Sequence, residues 1–180
     1  MISYHMLLPQ DASDLTAHLC RLDPQERSLR FFGAVNDVCI AKHVSGINWS
    51  KAVVVGAFQG GHLVGAAELF GTADGGELAV TVDHEIQGLG IGTELVRKAL
   101  LVARNRGIRH VKVEYLARNN PIRHVAGKFK PHLEMVSGGT VADIAVPSAN
   151  QVSLLREIVG EALGWFWDIA DRLHPYATHP

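Results

Sequence analysis

The stretch from Glu77 to Gly92, ELAVTVDHEIQGLGIG, constrains this chain more than any other. A short β-prone apolar run (Leu78, Ala79, Val80, Val82) passes through Asp83-His84-Glu85 into Gln87-Gly88-Leu89-Gly90-Ile91-Gly92. A helix-like run, TELVRKALLVARNRG, follows at once. Strand, glycine-rich turn and helix together form an arrangement that receives a phosphate. Glycines let the backbone approach closely, and the first unpaired N–H groups of the helix point at the anion. Glycines at 88, 90 and 92 are too compact for the GxGxxG dinucleotide fingerprint, and no Lys-Ser/Thr pair closes the turn as in the GxxxxGK[ST] nucleotide loop.

The flanks show how that unit is embedded. Lys51–Gln59 and His62–Phe70 are β-rich runs joined by Gly60-Gly61, and paired glycines supply the positive φ angles of a tight hairpin turn. Gly71–Gly76 is predicted as a loop, followed by the strand Glu77–Val82. Three successive antiparallel strands leading into a glycine turn and a helix argue against a Rossmann unit, which alternates strand and helix. Upstream, residues 2–8 read as an opening strand. Asp11 or Ser13 then caps a helix to about Leu22, Asp23-Pro24 restarts one that runs to Gly33, and Asn36 or Asp37 caps a third to about Val44. Downstream, the helix from Ile91 to about Arg106 carries an apolar stripe at Ile91, Leu95, Ala99, Val102 and Ala103. His110–Leu116 is a strand, Asn119-Asn120-Pro121 opens a short helix, and His132–Ser137 with Thr140–Val146 form a closing hairpin. Gln151 to about His174 is a long helix with one apolar stripe at Leu155, Val159, Ala162, Phe166, Ile169 and Leu173. A second, adjoining stripe comprises Leu154, Ile158 and Trp165. So wide a face can pack on the sheet and also on a second copy, giving a homodimer, or be buried within one chain.

With 180 residues the chain fits one domain, 1–180, with a core at about 1–146 and the last helix at about 150–174. A net charge of −1 without a Lys/Arg block predicts neither a nucleic-acid nor a membrane partner. The two cysteines, Cys20 and Cys39, fall in predicted helices with no metal or redox spacing, and read as buried free thiols of a reducing compartment. MISYHMLLPQD lacks the basic and long apolar regions of a signal peptide, and no run approaches ~20 apolar residues, so a cytoplasmic location is expected. Ten histidines invite a metal, but no H-E-x-x-H or paired His/Cys spacing occurs, and His174 and His179 fall in a tail. No metal is expected. No G-x-S-x-G elbow marks a hydrolase.

Gln87-Gly88-Leu89-Gly90-Ile91-Gly92 resembles, residue for residue, the Gln/Arg-x-x-Gly-x-Gly/Ala pyrophosphate loop of the GNAT superfamily of acyl-CoA-dependent N-acetyltransferases. A second string, LDPQERSLRFFG, resembles the helical segment of bacterial GNAT domains related to protein-lysine acetyltransferases, where it lies beside the acceptor cleft. The resemblance covers roughly residues 1–146. It implies an α/β (α+β type) fold, a mixed, mostly antiparallel sheet flanked by helices, with the C-terminal helix as an addition. It implies acetyl-CoA as co-substrate and acetyl, or other short acyl, transfer to a primary amine. The acceptor is a small molecule or a protein lysine. Residues 87–93, including Thr93 with its hydroxyl, would hold the pyrophosphate. Asn119 or Asn120, just past the strand that splays away in this family, would contact the cofactor, although an Asn before Pro is also a simple helix cap. Arg30 would stabilise an acidic acceptor or cap its own helix, and Leu29 and Phe32 would pack on the sheet.

Amine transfer needs a held thioester, a neutral amine and a stabilised oxyanion. A lysine-type amine has a pKa near ~10.4, so a carboxylate that removes its proton is worth ~10²–10⁴ in rate. Glu77 begins the strand feeding the loop, where many GNAT domains place a glutamate base, and burial beside the cleft would raise its pKa. It shares a face with Ala79 and Thr81, opposite Leu78, Val80 and Val82. Glu68 on the neighbouring strand is the second candidate; the alternative for each is a strand-end carboxylate in solvent. Backbone N–H groups along Val80 and Val82 would polarise the thioester carbonyl. One departure from the family stands out: where many members carry a tyrosine as general acid, alignment on Asn119 puts Ala126. Tyr115 and His124 are nearby substitutes. The missing tyrosine also motivates a rival reading, a non-catalytic acyl-CoA-binding sensor.

Overall fold

The structure is a computed structural model and describes residues 1–173. His174, His179 and the expected end of the last helix lie outside the described residues. Seven strands form one mixed sheet in the order β1-β2-β3-β4-β5-β7-β6. They are β1 (Ile2–Met6), β2 (Val53–Gln59), β3 (His62–Thr72), β4 (Gly75–Val82), β5 (His110–Leu116), β6 (His132–Val136) and β7 (Gly139–Ala145). Every pairing is antiparallel except β4 with β5. Gly60 and Gly61 turn the β2–β3 hairpin at φ 58° and 75°, as their sequence predicts. The loop expected at Gly71–Gly76 is instead mostly strand. β3 runs on to Thr72 and β4 begins at Gly75, leaving a two-residue turn. The crossing is tight enough that a Cβ on Gly71 would meet the Gly75 carbonyl oxygen at 2.4 Å, so this pairing requires glycine.

Helices cover both faces. On one lie α1 (Ala12–Arg21), α2 (Pro24–Phe31) and α3 (Asp37–Ser45), whose Leu15, Leu19, Ile40 and Val44 close over Val54, Phe58 and Ala66 of the sheet. Asp23 caps α2 by accepting the Glu26 N–H (2.7 Å), with Pro24 at its first position. On the other face α4 (Ile91–Asn105) buries Ile91, Leu95, Val96, Ala99, Val102 and Ala103 against Val53, Val55, Ala67, Leu69 and Val111. The short α5 (Asn120–Gly127) follows β5, and its N-cap Asn119 accepts the Ile122 N–H at 3.3 Å. Cys20 is half-buried and Cys39 exposed, so the expectation of two buried thiols fails for Cys39, which lies on the outer side of α3. None of the described helices is long and apolar enough to cross a membrane.

The last helix, α6 (Gln151–Leu173), departs most from expectation. It does not lay its apolar stripe on the sheet; it lies along the outer edge of β1. There it meets backbone rather than apolar side chains, and the buried residues are accordingly small or polar: Ser153, Gly164 and Asp168. Glu161 accepts the Met6 N–H at 2.8 Å, and Gly164 lies so close that a Cβ there would be 1.9 Å from the Tyr4 carbonyl oxygen. Asp168 faces the buried His5 ring, which is stacked between Phe58 and Trp165. An otherwise open strand edge is thereby covered, and the apolar stripe is left facing outward.

Candidate active site

The site is built around the parallel β4–β5 junction of the sheet. Asp83 donates its N–H to the Val64 carbonyl (2.9 Å), so the odd residues of β4 bond to β3. By the alternation of an antiparallel ladder, the backbone groups of Val80 and Val82 point toward β5. Pairing with β5 is limited to Gly76 with Val111 and Glu77 with Lys112. Past Glu77 the strands diverge, and the amides of Val80 and Val82 face the gap. A dry gap would strand these groups, since backbone polar groups need partners; a ligand lying along β4 would satisfy them.

At one end of the gap is the glycine turn. Gly88 and Gly90 take φ values of 80° and 85°, a region side-chain-bearing residues rarely adopt, and Gly90 is the N-cap of α4. The turn presents the first N–H groups of a 15-residue helix, with their partial positive charge. Gln87, Gly88, Gly90, Ile91, Gly92 and Thr93 line this end together with Val82 and Asn120. The Leu89 side chain is exposed at the tip, so that position can contribute only its backbone to a ligand held there. The exposed Gln87 side chain folds back on the turn, its Nε2 donating to the Val82 carbonyl (3.0 Å) and to Glu26 of α2 (2.8 Å), and so ties the turn to β4. Two cationic or titratable side chains that the motif does not contain, His124 and Lys128, stand beside the turn, and Lys128 Nζ donates to the Thr93 hydroxyl at 3.2 Å. A doubly charged phosphate group fits this setting of free N–H groups and a lysine.

The channel continues between Val80, Val82, Asn119, Ile122 and Val125, and opens into a cavity of about 550 Å³ at its far end. α2 forms one wall of that cavity through Leu29, Arg30 and the adjoining Phe32. Of the two phenylalanines in the RFF run, Phe31 packs on the core. Phe32, at φ 57°, stands half exposed at the mouth rather than on the sheet as expected.

The two carboxylate candidates fall on the same sheet face, because Glu68 pairs with Ala79 and Phe70 with Glu77. Their surroundings are the reverse of what the sequence suggests. Glu68 is fully buried, with Arg30 donating to one carboxylate oxygen (2.7 Å) and His43 Nε2 at 2.6 Å from the other. Burial alone would raise its pKa. The Arg30 guanidinium and the His43 contact outweigh that and hold it at about 2. With both oxygens engaged, Glu68 is a poor proton acceptor, contrary to the expectation that it could serve as the base. Arg30 is correspondingly spent on Glu68 rather than on an acidic acceptor or its own helix end. Glu77 lines the cavity and is exposed, so the burial expected for it is not found. Beside it stand Lys112, Glu114 and Glu134, all facing the same space. Of the substitutes for a general acid, Tyr115 is buried in the α4-side core with Val111 and Val113, and His124 stands at the glycine-turn end, away from the cavity. Ala126 is buried and offers no proton.

A further network lay outside the sequence reading. His18 of α1, completely buried, stands 2.8 Å from the Thr81 hydroxyl and 2.8 Å from Asp83, which also takes a bond from Arg21. Burial would push the Asp83 carboxyl up, but these partners hold it below its ordinary value. The network pins α1 to the end of β4, just before the glycine turn.

Residues 17–129 match the model of the acetyltransferase (GNAT) family, more than half of the chain. No curated protein sequence matches the chain. Among solved structures, the fold is similar to the GNAT domain of Streptomyces lividans PAT, at 22% identity and a TM-score of 0.69 over 79% of this chain and 89% of that one. It is also similar to YncA of Salmonella typhimurium, solved with its cofactor acetyl-CoA (12% identity, TM-score 0.65, 83% and 96% covered). The PaiA N-acetyltransferase of Thermoplasma acidophilum, in complex with coenzyme A, is a third (17%, 0.62, 81% and 99%). With its splayed β4–β5 junction, its glycine turn on the following helix and the match across both, the chain belongs to the acetyltransferase (GNAT) family.

Proposed function

We propose that this protein transfers an acetyl or other short acyl group from CoA to a primary amine, with Glu77 as general base. The observation that carries the reading is the continuous channel from the Gln87–Thr93 turn, along the unpaired amides of Val80 and Val82, to the cavity holding Glu77. Acetyl-CoA would supply the activated thioester. The chain's own groups bind and orient it: the turn, α4 and Lys128 toward the pyrophosphate, and Asn119 and Asn120 at the mouth of α5. An N–H at Val80 or Val82 would polarise the carbonyl. Glu77, exposed and unburdened by an ion pair among the described residues, takes the amine's proton directly or through water. The thiolate leaves without a dedicated acid, since a thiol pKa near ~8.5 already makes it a tolerable leaving group. Glu77, Glu114 and Glu134 outnumber Lys112 on the cavity wall, with Arg30 paired to Glu68, and this favours an acceptor that arrives as an ammonium, as a small amine or a protein lysine does. We read the chain as self-associating through α6 as well.

Thermal melting with acetyl-CoA, with CoA and with NAD as control tests the cofactor assignment. A ligand at about 100 times its Kd adds ~2.7 kcal/mol, which for a chain of this size raises Tm by roughly 5–10 °C. That rise is expected with acetyl-CoA and CoA only, and its absence at saturation withdraws the assignment. Thiol release with an offered amine separates an enzyme from a sensor that binds without turnover.

A further inference from the structure

We propose that α6 forms an antiparallel pair with α6 of a second copy of this chain, with Ala162 of each helix packed against Phe166 of the other. The inference rests on the reading that the chain self-associates through α6, and adds the geometry.

The exposed face of α6 repeats with a spacing that a surface helix of a monomer does not need. From Val152 through Leu155, Val159, Ala162, Phe166 and Ile169 to Leu173, the steps alternate three and four residues over three heptads. That is the 3.5-residue period of a coiled-coil seam, which calls for a partner helix. Every member of the seam is exposed, and Leu155, Phe166 and Leu173 each leave more than 60% of their surface to solvent. Among the described residues no helix packs on this face. The contacts of β1 and α4 with α6 run through Ser153, Glu157, Glu161, Gly164, Trp165 and Asp168, none of them a seam position. With the flanking Leu154, Ile158, Leu163 and Trp167, each at least 40% exposed, the seam belongs to a contiguous apolar patch of the kind that marks an interaction site.

The face suits its own copy. Its seam carries no charged side chain, so two copies meet without like charges at the centre. At about 1.5 Å per residue the helix is roughly 34 Å long, enough for several turns of contact. An antiparallel pair brings alternate seam positions of the two helices into layers. One such register sets Leu155 against Leu173, Val159 against Ile169, and Ala162 against Phe166. It places the smallest seam residue opposite the largest, twice, about a two-fold axis near residue 164, and such matching of volumes is what tight packing rewards. The buried side of the helix is fixed independently by Gly164, Glu161 and Asp168 on β1, so the seam is presented on a rigid support.

Sedimentation or light scattering of the purified full chain is expected to give about twice the 19.5 kDa of one chain, and Val159→Glu is expected to return it to one chain's mass with the acetyl-CoA-dependent Tm shift intact. A wild-type monomer at ~100 µM, or a dimer that Val159→Glu leaves unchanged, overturns both self-association through α6 and the pairing. Orientation is read in a background with Cys20→Ser and Cys39→Ser. Chains carrying Ala162→Cys are expected to form disulfide-linked dimers on mixing with chains carrying Phe166→Cys, and neither alone. A dimer in which Ala162→Cys links to itself, or in which the mixture yields no crosslink, overturns the proposed register while leaving self-association standing.

Discussion

Glu68 and Glu77 stand on neighbouring strands of one sheet and point to one face, yet they are opposites. Glu68 is buried, has both oxygens occupied by Arg30 and His43, and is held ionised far into acid. Glu77 is exposed on the cavity wall and is tied by no salt bridge among the described residues. A buried carboxylate at a catalytic cleft invites the assumption that it is the base. The contrast shows why availability of the lone pairs, rather than depth, decides. The satisfied carboxylate fixes the wall by holding α2 and α3 to β3, and the free one is the base we propose.

The comparison can be broken in three ways. Glu77→Gln removes the proton acceptor while keeping the shape, and kcat is expected to fall ~10²–10⁴-fold. Its acetyl-CoA affinity and Tm should stay near wild type; full retained activity would take Glu77 out of the base role. Glu68→Ala strands the largely buried Arg30, whose Nε already lacks a partner. Loss of one member of a buried pair costs about 3–5 kcal/mol, or roughly 6–20 °C of Tm for a chain of this size. An unchanged melt would mean that Glu68 holds nothing. The smallest effect is in the acid limb of stability. The Glu68 pKa falls from an ordinary 4.5 to about 2 on folding, so its contribution is complete above about pH 4.5 and is lost as pH drops toward 2. Denaturation midpoints across that window should decline less steeply in Glu68→Gln than in wild type.

Much of this arrangement was legible in the residues. The glycine turn, the Gly60-Gly61 hairpin and the α4 stripe are local patterns, and each is set by φ angles or by a 3.6-residue period. The Glu68–Arg30–His43 cluster was not legible, because its members are separated by up to 38 positions and nothing in their spacing reports the meeting. Glu77's exposure is not readable from the sequence for a related reason. Strand alternation gives a face but not what covers it, and Glu77 faces the open cavity. The orientation of α6 is likewise not readable from the sequence. Periodicity announced an apolar face but could not say that the opposite one, with Gly164 and Glu161, would be claimed by the β1 edge.

The two-residue pairing between β4 and β5 has a mechanical consequence. The sheet behaves as two plates, β1 to β4 and β5-β7-β6, sharing a short seam at Gly76 and Glu77, with α4 and α5 as struts. A ligand lying along Val80 and Val82 would act as mortar between the plates and stiffen both. Amide hydrogen exchange should slow on saturation with acetyl-CoA along β4, and also in β5 and β7, which the cofactor need not touch.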